Sequence, residues 1–260
     1  MPGRITIERR GPLGLLVFDH PERHNAISIG MWRQIPAAAR ELDGDDAVRV
    51  VILRGAGEAA FVAGADISEF EKSRTRDNVD QYDADNSRAY EALGAIGKPV
   101  IAMIHGYCVG GGVALALSAD LRYASDDAKL GIPAARLGLG YGMSGIETLM
   151  QLVGASHAKE IFFSAQRFSA EAALRMGLLN GVYPKSRLES EVMALAESIA
   201  QNAPLTLRSV KLAVRELQKP PAQRDAQAVS RAIAACYDSE DYAEGVAAFL
   251  QKRAPQFKGR

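Results

Sequence analysis

Apolar and polar positions along this chain switch repeatedly between a two-residue and a helical period, and the switches lay out its elements. "ITIERRGPLGLLVFDHP" reads as two strands around a turn at Gly11-Pro12, so the chain opens with a hairpin. "SIGMWRQIPAAARELDGD" has helical spacing, with Ser28 as its cap and Asp43-Gly44 as its stop. Pro36 lies inside that helix and predicts a kink or a broken first half, because its ring removes a hydrogen bond and crowds the preceding turn. "VRVVILRG" is a buried strand, followed by a loop at "GEAAFVAGAD". A polar stretch from Ser68 to about Ala84 reads as mobile and precedes a helix ending near Ile96. "KPVIAMIHG" is the next buried strand, and "DLRYASDDAKLGIP" reads as paired strands around an Asp126-Asp127 turn. From Gly142 onward the period is helical, broken by one strand at "GLLNGVYP". From Leu188 the chain is nearly all helix, with apolar stripes such as "LESEVMALAESIA".

The recurring order is strand-strand-helix with a helical appendage, which predicts an α/β protein. No strict repeat, low-complexity linker or composition break separates two independent domains. A chain of 260 residues, 48% hydrophobic and 24% charged, has ordinary globular composition. Lys+Arg and Asp+Glu balance at 31 each, so no global field draws the protein to nucleic acid or to a membrane surface. Only the tail "QKRAPQFKGR" is lopsided, and by default it is a solvated basic end. Cys108 and Cys236 have no metal-type spacing and imply no disulfide framework, which favours a reducing, cytoplasmic setting. The first residues lack the apolar run of a signal peptide, and no apolar stretch approaches transmembrane length.

One stretch asks for an explanation. "HGYCVGGGVALALSAD" places Gly110, Gly111 and Gly112 where a helix must nucleate, although each glycine costs roughly 1 kcal/mol there relative to alanine. Early helix N–H groups have no intrahelical acceptor, so a strand–glycine–helix junction can hold a phosphate or a developing oxyanion. Close packing of strand on helix needs small residues equally well. The spacing differs from G-x-G-x-x-G, which makes a dinucleotide reading weak. A second small-residue loop, "FVAGADISEF", brings the possibility that two loops aim two N–H groups at one oxygen.

"FVAGADI" followed by "HGYCVGGGVALALSADLRYA" resembles the crotonase, or enoyl-CoA hydratase/isomerase, superfamily. "HPERHNAIS", "AKEIFFSAQRFSAEAALRMGLLNGV" and "YDSEDYAEGVAAFLQKRAPQFKGR" extend the resemblance over essentially the whole chain. It implies a superhelix of β-β-α units, a CoA-thioester core over 1–187, and a C-terminal helical region over 188–260 that builds homotrimers, commonly paired into hexamers. It implies further that Ala65 and Gly111 supply the amides of an oxyanion hole for an acyl-CoA thioester. Arg23, Asn25, Ala26, Ala63, Asp66 and Gly110 fall where substrate or CoA is contacted, with His24 beside Arg23 near its phosphates. Phe257 and Lys258 resemble a segment reaching a nucleotide site, often that of a neighbouring subunit. No metal or cofactor is implied beyond the coenzyme A of the substrate. For Asp66 the plainer role is capping the helix after its loop.

The departures from the family are as informative. Its hydratases carry two glutamates, and the matching positions here are Ala114 and Ala134. Acid–base groups of that kind typically contribute 10²–10⁴-fold, so a two-glutamate hydration is disfavoured. Tyr141, in "RLGLGYGMSGIETL", occupies a place where other branches supply a catalytic Asp or Tyr, and the methylmalonyl-CoA decarboxylase branch carries Tyr there. That branch has His where Ala65 stands. Decarboxylation of a short malonyl-type thioester yields an enolate without a base, which fits an acid-free pocket. Tyr141 reads about equally as that polar contact and as a half-buried aromatic. The alternatives are an atypical hydratase or isomerase recruiting Tyr141, Glu147 or Asp66, and a catalytically silent acyl-CoA-binding scaffold. His105 reads as a structural histidine, Cys108 as buried and inert, and Met31 and Trp32 as core.

Overall fold

The computed structural model describes residues 2–69 and 79–260. The opening hairpin forms as the pattern predicts, from β1 (Arg4–Arg10) and β2 (Leu13–Asp19). Helix α1 (Ile29–Gly44) starts at Ser28, whose hydroxyl accepts the Met31 N–H. It runs unbroken through Pro36, contrary to the expected break. Its buried face of Met31, Trp32, Ile35, Ala38, Ala39 and Leu42 holds the backbone helical around the missing donor.

After β3 (Val50–Gly55), the segment expected to be only a loop contains a short strand, β4 (Ala60–Val62). The polar stretch from Ser68 falls partly outside the described residues. Its later part is helical, because α2 (Val79–Ala95) already includes residues 79–84. Then come β5 (Val100–Ile104), β6 (Tyr107–Val109) and α3 (Gly111–Leu117). Strands β7 (Leu121–Ser125) and β8 (Lys129–Gly131) follow, with a 3-10 turn at Pro133–Leu137.

Strands β7 and β8 flank the Asp126-Asp127 turn as expected but do not pair with each other. β7 lies between β5 and β10 (Gly181–Tyr183) in a six-stranded sheet of order β1-β2-β3-β5-β7-β10. β8 joins a four-stranded sheet of order β4-β6-β8-β9, where β9 is Phe168–Ser169. The same division holds for β3/β4 and β5/β6. Each successive unit gives its first strand to the larger sheet and its second to the smaller one, so the chain advances as a spiral. All pairings in the larger sheet except β1·β2 are parallel, and β2, β3 and β5 read as nearly continuous apolar runs because both their faces are covered.

One face of the larger sheet packs on α1 and α2. The other packs on α6 (Lys185–Ala200) through Leu188, Val192 and Ala196. The division placed at 187/188 therefore falls within a helix that belongs to the sheet's own second layer. Two further helices, α4 (Met143–Ser164) and α5 (Ala170–Arg175), lie between β8 and β10, and Gly154 at φ +74° interrupts α4. Beyond α6 come α7 (Pro204–Gln218), α8 (Ala226–Tyr237) and α9 (Glu240–Leu250). No described helix is long and apolar enough to cross a membrane.

Candidate functional site

Asn25 organises the first wall of the site. It takes a left-handed backbone conformation at φ +57°, which Asn tolerates better than most residues. Its buried amide donates to the Ala56 and Ala60 carbonyls at 2.9 and 2.7 Å, and its Oδ1 accepts the His20 N–H at 3.0 Å. The side chain is thus committed to joining the 20–27 loop to the 56–60 loop. His20 Nδ1 lies 2.9 Å from the Ala26 carbonyl, and the Ala26 N–H donates to the Arg23 carbonyl.

Held this way, Ile27 bridges to Ala65: the Ile27 N–H donates to Gly64 O at 2.8 Å, and the Asp66 N–H donates to Ile27 O at 2.9 Å. The Ala63 N–H is taken by His24 O. In an extended segment successive N–H groups alternate in direction, so the Ala65 N–H points away from Ile27. Gly64, at φ +114°, supplies the turn that this requires.

The second wall is the start of α3, where the three glycines have three different causes. Gly110 sits at φ +54°, ψ −113°, a conformation barred to residues with a Cβ, and its N–H donates to Gly131 O at 2.8 Å. A Cβ on Gly112 would stand 2.2 Å from the Val62 carbonyl oxygen, so this glycine lets α3 press directly onto β4. A Cβ on Gly111 would stand 3.4 Å from Trp32 Cζ2 and 3.9 Å from the Ala65 nitrogen. The Ala65 nitrogen therefore stands beside the Gly111 α-carbon, and among the described residues neither the Gly111 nor the Ala65 N–H donates a backbone hydrogen bond. Of the readings of the glycine run, close packing is seen at Gly112.

The acids beside this pair are already engaged. Asp66 is buried, and one of its oxygens accepts from the Ser68 hydroxyl at 2.7 Å and from the Ser68 N–H and Arg23 Nη1 at 3.0 Å. Burial pushes its carboxyl up, but the Ser68 bonds and Arg23 outweigh it and hold the pKa below the usual carboxylate value. It caps the 3-10 turn Ile67–Glu69, the plainer of the roles expected for it. Glu69 accepts the Ile29 N–H at 2.7 Å. Ala114, one turn into α3 on the Gly111 face, is half-buried, and Ala134 is buried in the 3-10 turn.

Other residues singled out from the sequence lie further along. Tyr141 precedes α4, is 39% exposed, and packs edge-to-face on Phe162 with ring centroids 4.9 Å apart. Glu147 is exposed on α4. His24 stands edge-to-face with Tyr107 at 5.9 Å, and Arg167 lies over that same ring at 5.3 Å. Phe257 and Lys258 are held in the C-terminal layer rather than beside the amides of their own chain. The Lys258 N–H donates to Asp241 at 2.6 Å, and the Phe257 carbonyl accepts from Arg49 at 3.3 Å. The sequence reading did not see that Trp32, a core residue as expected, turns its indole edge towards Gly111. Tyr90 of α2 meets its ring edge-to-face at 5.4 Å.

Comparison with known proteins agrees with this architecture. Residues 8–260 match the enoyl-CoA hydratase/isomerase family. A short-chain-enoyl-CoA hydratase of Clostridium acetobutylicum is 34% identical over 257 residues, covering 98% of both chains. A crotonyl-CoA hydratase of Syntrophomonas wolfei is 33% identical over 253 residues, covering 97% of both. A putative enoyl-CoA hydratase/isomerase family protein of Hyphomonas neptunium superposes with a TM-score of 0.93 at 35% identity, over 98% of each chain. With paired sheets, glycine junction and full-length similarity in agreement, the chain belongs to the enoyl-CoA hydratase/isomerase family.

Proposed function

We propose that this protein binds an acyl-CoA thioester with its carbonyl oxygen between the Ala65 and Gly111 N–H groups, and that these donors stabilise an enolate. The observation that carries the reading is the Ala65 nitrogen standing beside Gly111, with no backbone acceptor for either N–H among the described residues. Donors of this kind are each worth about 10²–10³-fold in rate.

The reaction favoured is decarboxylation of a short malonyl-type acyl-CoA. The bond from the α-carbon to the carboxylate breaks, CO₂ leaves, and the electron pair passes into the thioester to give the enolate. A proton from solvent water then adds to the α-carbon, giving the acyl-CoA product and hydroxide. No base is required, which suits alanine at 114 and 134 and the engagement of Asp66 and Glu69. Tyr141 would orient the departing carboxylate by a hydrogen bond from its phenol hydroxyl. Arg23, Ala26, Ala63 and the Asn25 backbone form the CoA side of the site.

A second reading, hydration, is favoured by the hydratase names of the relatives. Incubation with methylmalonyl-CoA, ethylmalonyl-CoA and crotonyl-CoA separates the two by CO₂ release or loss of enoyl absorbance. Decarboxylation that disappears in Tyr141→Phe supports the first reading. Efficient hydration of crotonyl-CoA that survives the substitution overturns it, and CoA binding without turnover of any thioester makes the protein a silent scaffold.

The assembly expected from the family also has a surface to use. Val210, Ile233, Tyr237, Tyr242, Val246, Phe249 and Leu250 of α7–α9 are exposed around an apolar cavity of about 580 Å³. We assign this face to contact with further copies of the chain, as a trimer or a dimer of trimers. Its continuity along three helices, with Phe249 83% exposed, is hard to reconcile with an isolated monomer.

A further inference from the structure

Trp32 is 1% exposed, and its Nε1–H finds no acceptor among the described residues. Burying an unpaired donor is costly, and phenylalanine or leucine would fill a core without it. The indole therefore has to contribute something that a smaller apolar side chain does not. Its outer ring supplies the answer. Outside its own stretch of chain, the heavy atoms nearest to the position a Gly111 Cβ would take are Trp32 Cζ2 at 3.4 Å and Cη2 at 3.6 Å, with the Ala65 nitrogen next at 3.9 Å. Cζ2 and Cη2 belong to the six-membered half of the indole, beyond the reach of a phenylalanine side chain. The ring edge and the Ala65 nitrogen thus border the same side of Gly111.

The first turn of α1 meets both walls of the site. The Trp32 N–H donates to the Ser28 carbonyl at 3.0 Å, one helical turn back. Just before Ser28, Ile27 makes two backbone hydrogen bonds around Ala65, one to Gly64 O and one from the Asp66 N–H. The segment that opens α1 therefore holds Ala65 through the backbone of Ile27 and reaches Gly111 through the ring of Trp32. Tyr90 of α2 braces that ring edge-to-face at 5.4 Å. With no hydrogen bond to orient the indole, contact alone fixes its seat, and close-packed contacts of this kind respond to the loss of a few atoms.

We infer that Trp32 is a positioning residue for the thioester site: the edge of its indole bears on Gly111 and keeps the Gly111 N–H in register with that of Ala65. It touches no reacting atom and acts through Gly111. The inference rests on the two amides receiving the thioester oxygen, and it gives a cause for an indole buried with its donor unpaired.

The readout is the carbonyl stretch of butyryl-CoA, isotopically labelled at the thioester carbonyl and measured by infrared difference spectroscopy on the complex. Hydrogen bonds to the oxygen lower that frequency, so the band reports the two donors rather than the stability of the fold. The wild type should move the band below its position in water, and Trp32→Phe should return it towards that position. On a thioester that the wild type turns over, Trp32→Phe should lower kcat roughly tenfold or more and leave KM unchanged. Ile35→Ala opens a cavity on the same buried face of α1 one turn further on, and should lower Tm yet keep the wild-type band. The unaltered protein gives an independent reading, because Trp32 is its single tryptophan. Saturation with butyryl-CoA should change its emission, and coenzyme A alone should not. A band unmoved by Trp32→Phe, an equal loss in Ile35→Ala, or emission indifferent to butyryl-CoA overturns the inference while leaving the thioester site intact. Butyryl-CoA that fails to bind, or that binds to the wild type without a shift of its carbonyl band, overturns the inference together with the proposed function.

Discussion

Replacing Gly112 with alanine tests the link between packing and the paired amides. The new Cβ would lie 2.2 Å from Val62 O and 3.0 Å from Val62 C and Cβ, well inside van der Waals contact with backbone that has no rotamer to escape through. Relief requires α3, which begins at Gly111, to separate from β4, whose chain continues three residues on to Ala65. Overpacking of this sort costs about 1–3 kcal/mol, which in a chain of this size lowers Tm by roughly 3–10 °C. Displacement of a donor by on the order of 1 Å adds a rate loss of about 10²-fold. The assay pairs thermal melts with kcat and KM on whichever thioester the wild type turns over, and the loss should fall on kcat. Gly94→Ala is the control. Nothing lies within 4 Å of its Cβ position in α2, so it should gain about 0.4–1 kcal/mol and retain full turnover. A Gly112→Ala protein with wild-type Tm and kcat would refute the claim that strand–helix contact sets the spacing of the amides.

Asn25→Ala removes three buried hydrogen bonds and should cost about 2–4 kcal/mol by urea denaturation; a raised KM at unchanged stability would instead make Asn25 a ligand contact only. Burial, helped by Arg54 and Lys185, pushes His105 down to about 4 from the usual 6.5, and its Nε2 is buried without a partner among the described residues. The folded state therefore resists a proton that the unfolded chain accepts. Stability from this residue is complete above pH 6.5, is lost as pH falls to about 4, by up to about 3 kcal/mol, and changes no further below that. His105→Gln should flatten that part of the urea-midpoint profile, and an identical profile would remove His105 as its source. Phe249→Lys should shift the proposed assembly towards monomer in light scattering, whereas a wild-type monomer or a mass unchanged by the substitution would refute this interface.

Local signals carried much of this fold into the sequence. Ser28, the Gly11-Pro12 turn and the apolar runs of β2, β3 and β5 each mark an element by chemistry that acts within a few residues. The paired small-residue loops suggested two N–H groups aimed at one oxygen, and only the family resemblance assigned them to Ala65 and Gly111. What the sequence hid was nonlocal. Strands β7 and β8 flank a turn that looks like a hairpin, and only partners some twenty residues back, β5 and β6, send them to different sheets. Strand β4 is three residues long, too short for a period to show, and exists because β6 pairs with it. Pro36 obeys its tertiary surroundings rather than its propensity. The contact of Trp32 with Tyr90 was invisible because it arises from the crossing of two helices far apart in the chain.

The donors proposed at positions 65 and 111 belong to the peptide backbone, so no exchange of side chain other than for proline deletes the N–H itself. In the proposed site, the means of charge stabilisation is thereby separated from side-chain identity, whereas the surrounding side chains, Ala114 and Ala134 among them, are open to change. A lineage built on such a site can exchange one chemistry for another by point substitution without first losing its means of holding an enolate.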